Sequence, residues 1–170
     1  MDLKQYIRDI PDFPKAGVIF KDIAPLLMHS EAFHQAFKAL LKMVDGFGVD
    51  KVVGMESRGF FFAPMLAAKL NAGFVPVRKR GKLPGKTIRQ NYGLEYGEDT
   101  LEILSDAIEE GERVLVHDDV LATGGTAEAT CKLVKKLGGT IVQCNLLIAL
   151  DFLKGKEKLK SYGVASLLHY

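Results

Sequence analysis

"RVLVHDDVLATGGTAEATCKLVKKLGGTIVQCNLLIALD", residues 113–151, carries the clearest secondary-structure pattern in the chain. An apolar strand over 113–119 leads through a small-residue turn into an amphipathic helix over 126–139, which paired glycines end. A second apolar strand, over 140–151, follows directly. Strands joined by a helix pair in parallel through a right-handed crossover. We therefore predict an α/β fold: an open, mostly parallel twisted sheet with flanking helices.

The preceding residues continue the same alternation of strands and helices. Apolar runs predict strands over 49–55 and 74–79, and the segment between them has helical spacing up to Gly73. Another helix, rich in acidic residues, is expected just before Gly111.

Two segments break this alternation. Residues 11–27 carry three prolines and a glycine around an apolar run, which predicts a compact lobe outside the sheet, a hood over about residues 1–30. Residues 81–104 are polar, glycine-rich and weakly alternating, which predicts a mobile hairpin, a lid over about residues 84–104. That segment leaves the carboxyl end of a predicted strand, the edge at which open α/β sheets bind ligands.

Composition restricts the class of protein. The 170 residues suit one domain, 1–170, with a single core. A net charge of +2 is too small to indicate a nucleic-acid or membrane surface, and the amino-terminal residues lack the apolar core of a signal peptide, so we expect a cytoplasmic protein. Cys131 and Cys144 lack the paired spacing of a zinc site and are expected to be reduced interior residues.

The turn after the strand 113–119 combines two kinds of polar group. Asp118 and Asp119 point to opposite faces of a regular strand, so one is expected to accept hydrogen bonds from a diol while the other braces the loop or a base. The backbone N–H groups of a glycine turn at a helix N-terminus form an anion site, here over Ala122, Thr123, Gly124, Gly125 and Thr126. Together these residues predict a binding site for ribose 5-phosphate. The alternative interpretation is an ordinary strand–turn–helix connection in which Asp and Thr are helix caps.

The segment "VLVHDDVLATGGT" (114–126) resembles the phosphoribosyl-diphosphate-binding motif of the type I phosphoribosyltransferases. Other segments resemble, in the same order, those of the adenine-specific members of that family. They are "DFPKAGVIFKDIAPLL" (12–27), "ESRGF" (56–60), "RKRGKLPG" (78–85), "YGLEYG" (92–97) and "SLLHY" (166–170). The resemblance covers nearly the whole chain and implies that adenine and phosphoribosyl diphosphate react to give AMP and diphosphate, with Mg²⁺ held mainly through the substrate.

The resemblance also implies roles for individual residues. Glu95 would be the catalytic acid or base at the purine, delivered when the lid closes. Adenine would be bound by a segment whose backbone reads the base, and the diphosphate by a turn and a basic loop. The adenine residues are Ile19, Phe20 and Lys21, and the diphosphate residues are Ser57, Arg58, Arg78, Lys79 and Lys82. The resemblance further implies a homodimer in which Arg78 reaches the neighbouring site, and a non-proline cis peptide within residues 56–58.

The sequence departs from the family pattern at a few positions and leaves alternatives open. Lys21 stands where the family usually has arginine, and Ala16 where it usually has proline. His117 replaces an apolar residue and is interpreted as a buried neutral histidine rather than a catalytic one. The alternative functions are a transferase for another 6-substituted purine and a non-catalytic sensor of phosphoribosyl diphosphate with the same fold.

Overall fold

We describe a computed structural model of the chain over residues 1–94 and 97–170, without the side chains of residues 94, 97 and 98. Two units can be distinguished, Met1–Ala39 and Leu40–Tyr170. No helix in the described parts of the chain is long and apolar enough to cross a membrane.

The first unit contains a two-stranded antiparallel sheet and two helices. Strand β1 is Arg8–Pro11, β2 is Ile19–Asp22, α1 is Ala24–Met28, and α2, Ser30–Lys42, continues into the second unit. Asp22 organises this unit, because it pairs with Arg8 across the two strands (Nε–Oδ2 3.0 Å) and accepts a hydrogen bond from the Ala24 N–H at the start of α1 (2.9 Å). The strands form a sheet of their own, which agrees with the lobe predicted outside the main sheet.

The second unit is built on a mixed sheet of seven strands among the described residues, in the order β5-β6-β4-β3-β7-β8-β9. Strands β3, β4, β7, β8 and β9 run parallel, while β5 and β6 form an antiparallel hairpin whose second strand pairs with β4. The predicted α/β fold with a mostly parallel sheet is confirmed. The strands are β3 Lys51–Met55, β4 Gly73–Lys79, β5 Thr87–Leu94, β6 Gly97–Leu104, β7 Arg113–Leu121, β8 Thr140–Ala149 and β9 Val164–His169, and the helices are α3 Ala63–Leu70 and α4 Gly125–Lys136.

The core of this unit lies between α4 and the parallel strands. Leu133 and Val134 of α4 are fully buried, as the amphipathic spacing predicts, and Cys131, outside that apolar stripe, is fully buried as well. Strand β8 is buried from Gln143 to Ala149, and such continuous burial is typical of a central parallel strand. The two cysteines are free and buried, with 3.5 Å between their sulfur atoms, so their predicted reduced, interior state agrees with the structure.

Two predicted helices differ from the structure. The acidic helix before Gly111 is wrong: β6 extends to Leu104 and β7 begins at Arg113, and the residues between them form turns. The pairing of β6 with β5 takes the chain up to Leu104 into the sheet and overrides the local helix-favouring composition. The helix predicted over 57–73 is shorter, because a 3₁₀ turn at Arg58–Phe61 precedes α3 and Pro64 lies in the first turn of the α-helix. Proline suits that position because its missing N–H would have had no helical partner there.

Candidate active site

The parallel register brings three strand ends to one edge of the sheet. Gly54 of β3 aligns with Pro76 of β4 and with His117 of β7. The residues that follow in each strand, from Met55, Val77 and Asp118 onward, therefore reach the same edge. This edge is where ligands bind in open α/β sheets, and almost all the predicted phosphoribosyl-diphosphate residues lie on it.

A cavity of about 80 Å³, open to solvent, lies where β7 passes into α4. Its lining includes Asp118 and all five residues predicted to bind the 5-phosphate, Ala122–Thr126. Gly124 has a left-handed backbone (φ 81°) and stands at the N-cap of α4 without a side-chain capping hydrogen bond. The positive end of a helix dipole and N–H groups not satisfied by a cap meet at this cavity, and both favour an anion.

The two adjacent aspartates have different surroundings. Asp118 lines the cavity, whereas Asp119 is 3% exposed, is not among the residues that line it, and has its Oδ2 3.0 Å from Arg58 Nε. This separation follows from strand alternation, which sends neighbouring side chains to opposite faces. The structure thus brings Asp118, and not Asp119, to the cavity predicted to hold the ribose.

Burial raises the pKa of both carboxyl groups. The pKa of Asp118 lies well above its usual value because the group is desolvated and because the negative charge of Asp119 is adjacent. Burial also raises the pKa of Asp119, but the Arg58 guanidinium opposes that shift. We therefore assign the more stable negative charge to Asp119, and the more strongly perturbed acid to Asp118.

Gly59 allows the turn that carries Arg58 to lie against the end of β7. A Cβ at position 59 would lie 3.0 Å from Asp118 Oδ1 and 3.0 Å from the backbone oxygen of His117. The glycine therefore permits a close approach between the turn 58–61 and the two aspartates, which a side chain would push apart.

The carboxylate of Glu56 bonds to most of the basic residues of the loop 78–82, the basic loop. This carboxylate, 8% exposed, accepts hydrogen bonds from Arg78 Nε (3.3 Å), from the Lys79 backbone N–H (2.9 Å) and from Lys82 Nζ. Burial alone would raise the pKa of Glu56, but the bonds from Lys82, Lys79 and Arg78 outweigh it, so the pKa lies below its usual value. Three of the five predicted diphosphate residues are thereby held together by one carboxylate.

The Lys79 side chain is also paired with a carboxylate. Its Nζ lies 3.0 Å from Asp99 Oδ2 on β6, and the Tyr92 hydroxyl donates to the same oxygen (3.2 Å). The negative charge of Asp99 raises the pKa of Lys79, so the amine is firmly cationic. The neighbouring Thr126 side chain lowers the pKa of Tyr92 against the larger effect of burial, and a Cβ on Gly125 would lie 3.7 Å from the Tyr92 ring. The part of β5 around Tyr92, towards the turn end of the hairpin, therefore lies against the phosphate loop.

The remaining diphosphate and catalytic predictions have mixed outcomes. Ser57 is exposed, and the Glu56–Ser57 peptide bond is cis, which confirms the predicted non-proline cis peptide. The hairpin itself is confirmed by the antiparallel pairing of β5 with β6. Glu95 lies outside the described residues, so its role stays a prediction.

The three predicted adenine residues lie together on β2 in the first unit. Ile19 is 56% exposed, and Lys21 pairs with Asp9 of the neighbouring strand (Nζ–Oδ1 2.7 Å). Residues two apart on a strand present their backbone groups to the same edge, so Ile19 and Lys21 share one edge of β2, and their adenine-binding role stays a prediction. The Asp9 contact joins Lys21 to strand β1, at a position where the family usually has arginine.

His117 behaves as predicted from its apolar surroundings. It is 0% exposed, and its Nδ1 lies 3.0 Å from Asn145 Oδ1. Burial lowers the pKa of His117 to about 4, so the ring is neutral near pH 7. Within the described part of the chain its Nε2 has no hydrogen-bond partner, and His117 is not among the residues that line the cavity.

Sequence reasoning missed Glu56, Asp99 and Tyr92 as members of this site. Glu56 stands inside the motif "ESRGF", which carried a signal, but its contacts lie 22 to 26 residues away along the chain. Asp99 and Tyr92 belong to a hairpin whose register no local pattern determines.

The ion pairs of Glu56 lead to a prediction about stability. Above about pH 5 the Glu56→Gln variant should lose about 1 kcal/mol of unfolding free energy, because it loses a charged acceptor shared by partly exposed cations. Since the folded-state pKa of Glu56 is below the ordinary 4.5, this contribution is complete above that value and is lost as pH falls through the folded-state pKa. Urea unfolding of both proteins between pH 3 and pH 7 should therefore show curves that converge at low pH.

The matched control for this prediction is Glu109→Gln, at an exposed position with no ion pair described for its side chain. It should leave the unfolding free energy unchanged within about 0.5 kcal/mol. A Glu56→Gln difference that stays constant down to pH 3 would contradict the role of the carboxylate charge.

Comparison with known proteins identifies the family. Residues 28–167 match the model of the phosphoribosyl transferase domain. The chain is 64% identical over its full length to an adenine phosphoribosyltransferase of Christiangramia forsetii, covering 99% of that protein. A crystal structure of the Rhodothermus marinus adenine phosphoribosyltransferase matches 99% of this chain and 96% of its own, at 54% identity and a TM-score of 0.95.

The Saccharomyces cerevisiae adenine phosphoribosyltransferase, solved in complex with adenine and D-2,5-dideoxy-2,5-imino-altritol 1,6-bisphosphate, matches at 43% identity. It covers 98% of this chain and 97% of its own, with a TM-score of 0.92. The chain therefore belongs to the adenine phosphoribosyltransferase family.

Proposed function

We propose that this protein forms AMP and diphosphate from adenine and 5-phosphoribosyl 1-diphosphate, as a purine-salvage transferase. The observation that carries the proposal is the cavity at the start of α4, lined both by Asp118 and by the phosphate loop Ala122–Thr126. An anion site next to a carboxylate suits a phosphate and a sugar hydroxyl of one ligand. A related protein that binds adenine and an imino-altritol bisphosphate supports the same pairing of ligands.

The chemistry requires charge stabilisation at the leaving diphosphate. The transition state resembles an oxocarbenium ion, and negative charge grows on the diphosphate as its bond to the sugar breaks. Arg58, Arg78, Lys79 and Lys82 are the groups that we assign to this charge, with the exposed turn at Ser57 offering backbone N–H groups. Each of the four cations is held by a carboxylate in the described structure, so the diphosphate must replace or share those partners.

Mg²⁺ is assigned as a cofactor that binds with the substrate. Among the described residues no three His, Cys, Asp or Glu side chains form a cluster able to hold a metal. Mg²⁺ is commonly bound through substrate phosphates, water and one or two carboxylates. Asp118 is the carboxylate of the cavity that could contribute. When bound, the ion neutralises part of the charge on the diphosphate.

Adenine recognition is assigned to β2 and proton transfer to the hairpin. Backbone groups of Ile19 and Lys21 would read the donor and acceptors on the pairing edge of adenine, with apolar packing from Phe20. Glu95 would take the proton that leaves the purine ring, in a lid that closes to exclude water. Exclusion of water protects the oxocarbenium ion from hydrolysis.

A homodimer is part of the proposal. The basic loop carries more positive charge than one diphosphate needs, and Arg78 is its member assigned to the neighbouring site. Within one chain Arg78 already bonds Glu56 and donates to the Lys82 backbone oxygen (3.0 Å). These two contacts support a fixed position for the basic loop, from which the Arg78 guanidinium could reach a second subunit.

The function is tested by incubating the protein with phosphoribosyl diphosphate and Mg²⁺ and each purine base in turn, and detecting the nucleotide formed. AMP formed from adenine alone supports the proposal. A different nucleotide would favour a transferase for another 6-substituted purine. Tight binding of phosphoribosyl diphosphate with no nucleotide from any base would favour the sensor.

The position of Asp118 predicts a trade-off between binding and stability. Asp118→Asn should weaken phosphoribosyl diphosphate binding at least about tenfold, because a charged acceptor for a ribose hydroxyl is lost. The same change should raise the unfolding free energy at pH 7 by about 1 kcal/mol. The pKa of Asp118 is raised above its unfolded value, so the cost to stability grows as the pH rises above the unfolded value and is complete above the folded-state pKa.

Calorimetric titration and urea unfolding measure the two effects of Asp118→Asn. Asp106→Asn, at an exposed turn position, is the matched control and should change neither. A stabilised Asp118→Asn protein with unchanged affinity would remove Asp118 from the ribose site.

The assignment of Glu95 predicts a loss of rate without a loss of binding. Glu95→Gln should lower kcat with adenine by about 10²- to 10⁴-fold, because glutamine cannot accept the proton. Affinity for phosphoribosyl diphosphate, measured directly, should stay near that of the unmodified protein. Glu98→Gln, in the same hairpin, serves as control. A Glu95→Gln protein with normal turnover would show that the proton leaves by another route.

A further inference from the structure

The phosphate loop, Ala122–Thr126, contacts a second glycine, Gly155, which lies 31 positions after Gly124 in the chain. Gly155 begins a 3₁₀ turn, Gly155–Leu159, and is buried. An ideal Cβ on Gly155 would lie only 2.2 Å from the backbone oxygen of Ala122 and 3.0 Å from the backbone nitrogen of Gly124. The contact is reciprocal, because a Cβ on Gly124 would lie 2.5 Å from the backbone oxygen of Gly155. The two backbones are thus in direct contact.

Whether this contact can accommodate an added Cβ depends on which atoms the Cβ would meet. The atoms that a Cβ would meet belong to the backbone of Ala122 and Gly124, so no side chain can rotate away, and the loop itself would have to move. The other side of the contact is firmly anchored. Leu159, at the end of the same turn, is 0% exposed and belongs to the core cluster that also contains Ala127 and Cys131 of α4.

A shift of residues 122–124 would act on the groups assigned to the 5-phosphate. Gly124 is the N-cap of α4, and the N–H groups of this turn are the anion donors of the cavity. Hydrogen bonds from a backbone cradle depend on distance and angle, so a displacement of a fraction of an ångström weakens several of them together. The adenine residues lie on β2 in the other unit, so this contact does not involve them.

We propose that Gly155 is a positioning residue for phosphoribosyl diphosphate: its missing side chain lets the turn 155–159 support the loop 122–124 in its phosphate-binding geometry. The inference rests on the proposed function, which supplies the ligand of that loop. Gly155 itself is not a catalytic residue, and it acts through the backbone of Ala122 and Gly124.

The test is Gly155→Ala, the smallest change that adds a Cβ. Gly155 is not among the glycines with positive φ, so alanine is strained there by the loop contact and not by its own backbone angles. We expect the KM for phosphoribosyl diphosphate and the calorimetric Kd for ribose 5-phosphate to rise about tenfold or more. The KM for adenine at saturating phosphoribosyl diphosphate should stay within about twofold, a split that general destabilisation would not produce.

Gly163→Ala is the matched control. Gly163 also lies outside the positive-φ set, and its Cβ would meet only the Val142 backbone oxygen, at an ordinary 3.6 Å. Both KM values and the ribose 5-phosphate Kd of this variant should equal those of the unmodified protein. If Gly155→Ala instead matches Gly163→Ala in all three, the inference is overturned.

Two further outcomes are distinguishable. If the unmodified protein makes no AMP, the proposed function fails, while the ribose 5-phosphate titration still tests the loop contact. If Gly155→Ala does not fold, Leu159→Val loosens the same turn without a clash. A rise of about threefold in the ribose 5-phosphate Kd, with the adenine KM unchanged, would then support the inference, and unchanged binding would overturn it.

Discussion

Parallel pairing of β3, β4 and β7 is the constraint on which the site depends. Because Gly54, Pro76 and His117 are in register, the three strands end at the same edge and deliver chemically different groups there. Strand β3 supplies Glu56 and the turn with Arg58, β4 supplies the basic loop, and β7 supplies Asp118 and the start of α4. A shift of one residue in any pairing would turn these side chains to the opposite face.

Charge pairing organises the site before a ligand arrives. Asp119, Glu56 and Asp99 hold the four cations assigned to the diphosphate, so the positive charges are gathered without strong mutual repulsion. Arg58, Arg78, Lys79 and Lys82 remain 33 to 56% exposed and can approach an anion. Asp118 differs, because its raised pKa reflects burial and a neighbouring negative charge. Such a cost is typical of a residue kept for function rather than stability.

Sequence patterns correctly predicted the features that depend on residues close together in the chain. The phosphate loop was predictable because its glycines, threonines and following helix are contiguous, and the cavity contains all five of its residues. The burial of His117 and of both cysteines followed from apolar surroundings in the sequence. The acidic segment before Gly111 was wrongly predicted as a helix, because its composition favours a helix while pairing with β5 places the chain up to Leu104 in the sheet.

The sequence by itself determined the α/β alternation, the phosphate loop, and the two faces on which Asp118 and Asp119 lie, because these depend on periodicities of two and 3.6 residues and on the conformational freedom of glycine. Only the tertiary structure decided which aspartate lines the cavity, that Glu56 gathers the basic loop, and that Gly155 supports residues 122–124. The contacts of Glu56 with the basic loop join residues 22 to 26 positions apart, and a helix and a strand separate Gly155 from the loop that it supports. Such pairs meet only when the whole sheet has formed, and no local pattern in the chain encodes their distance.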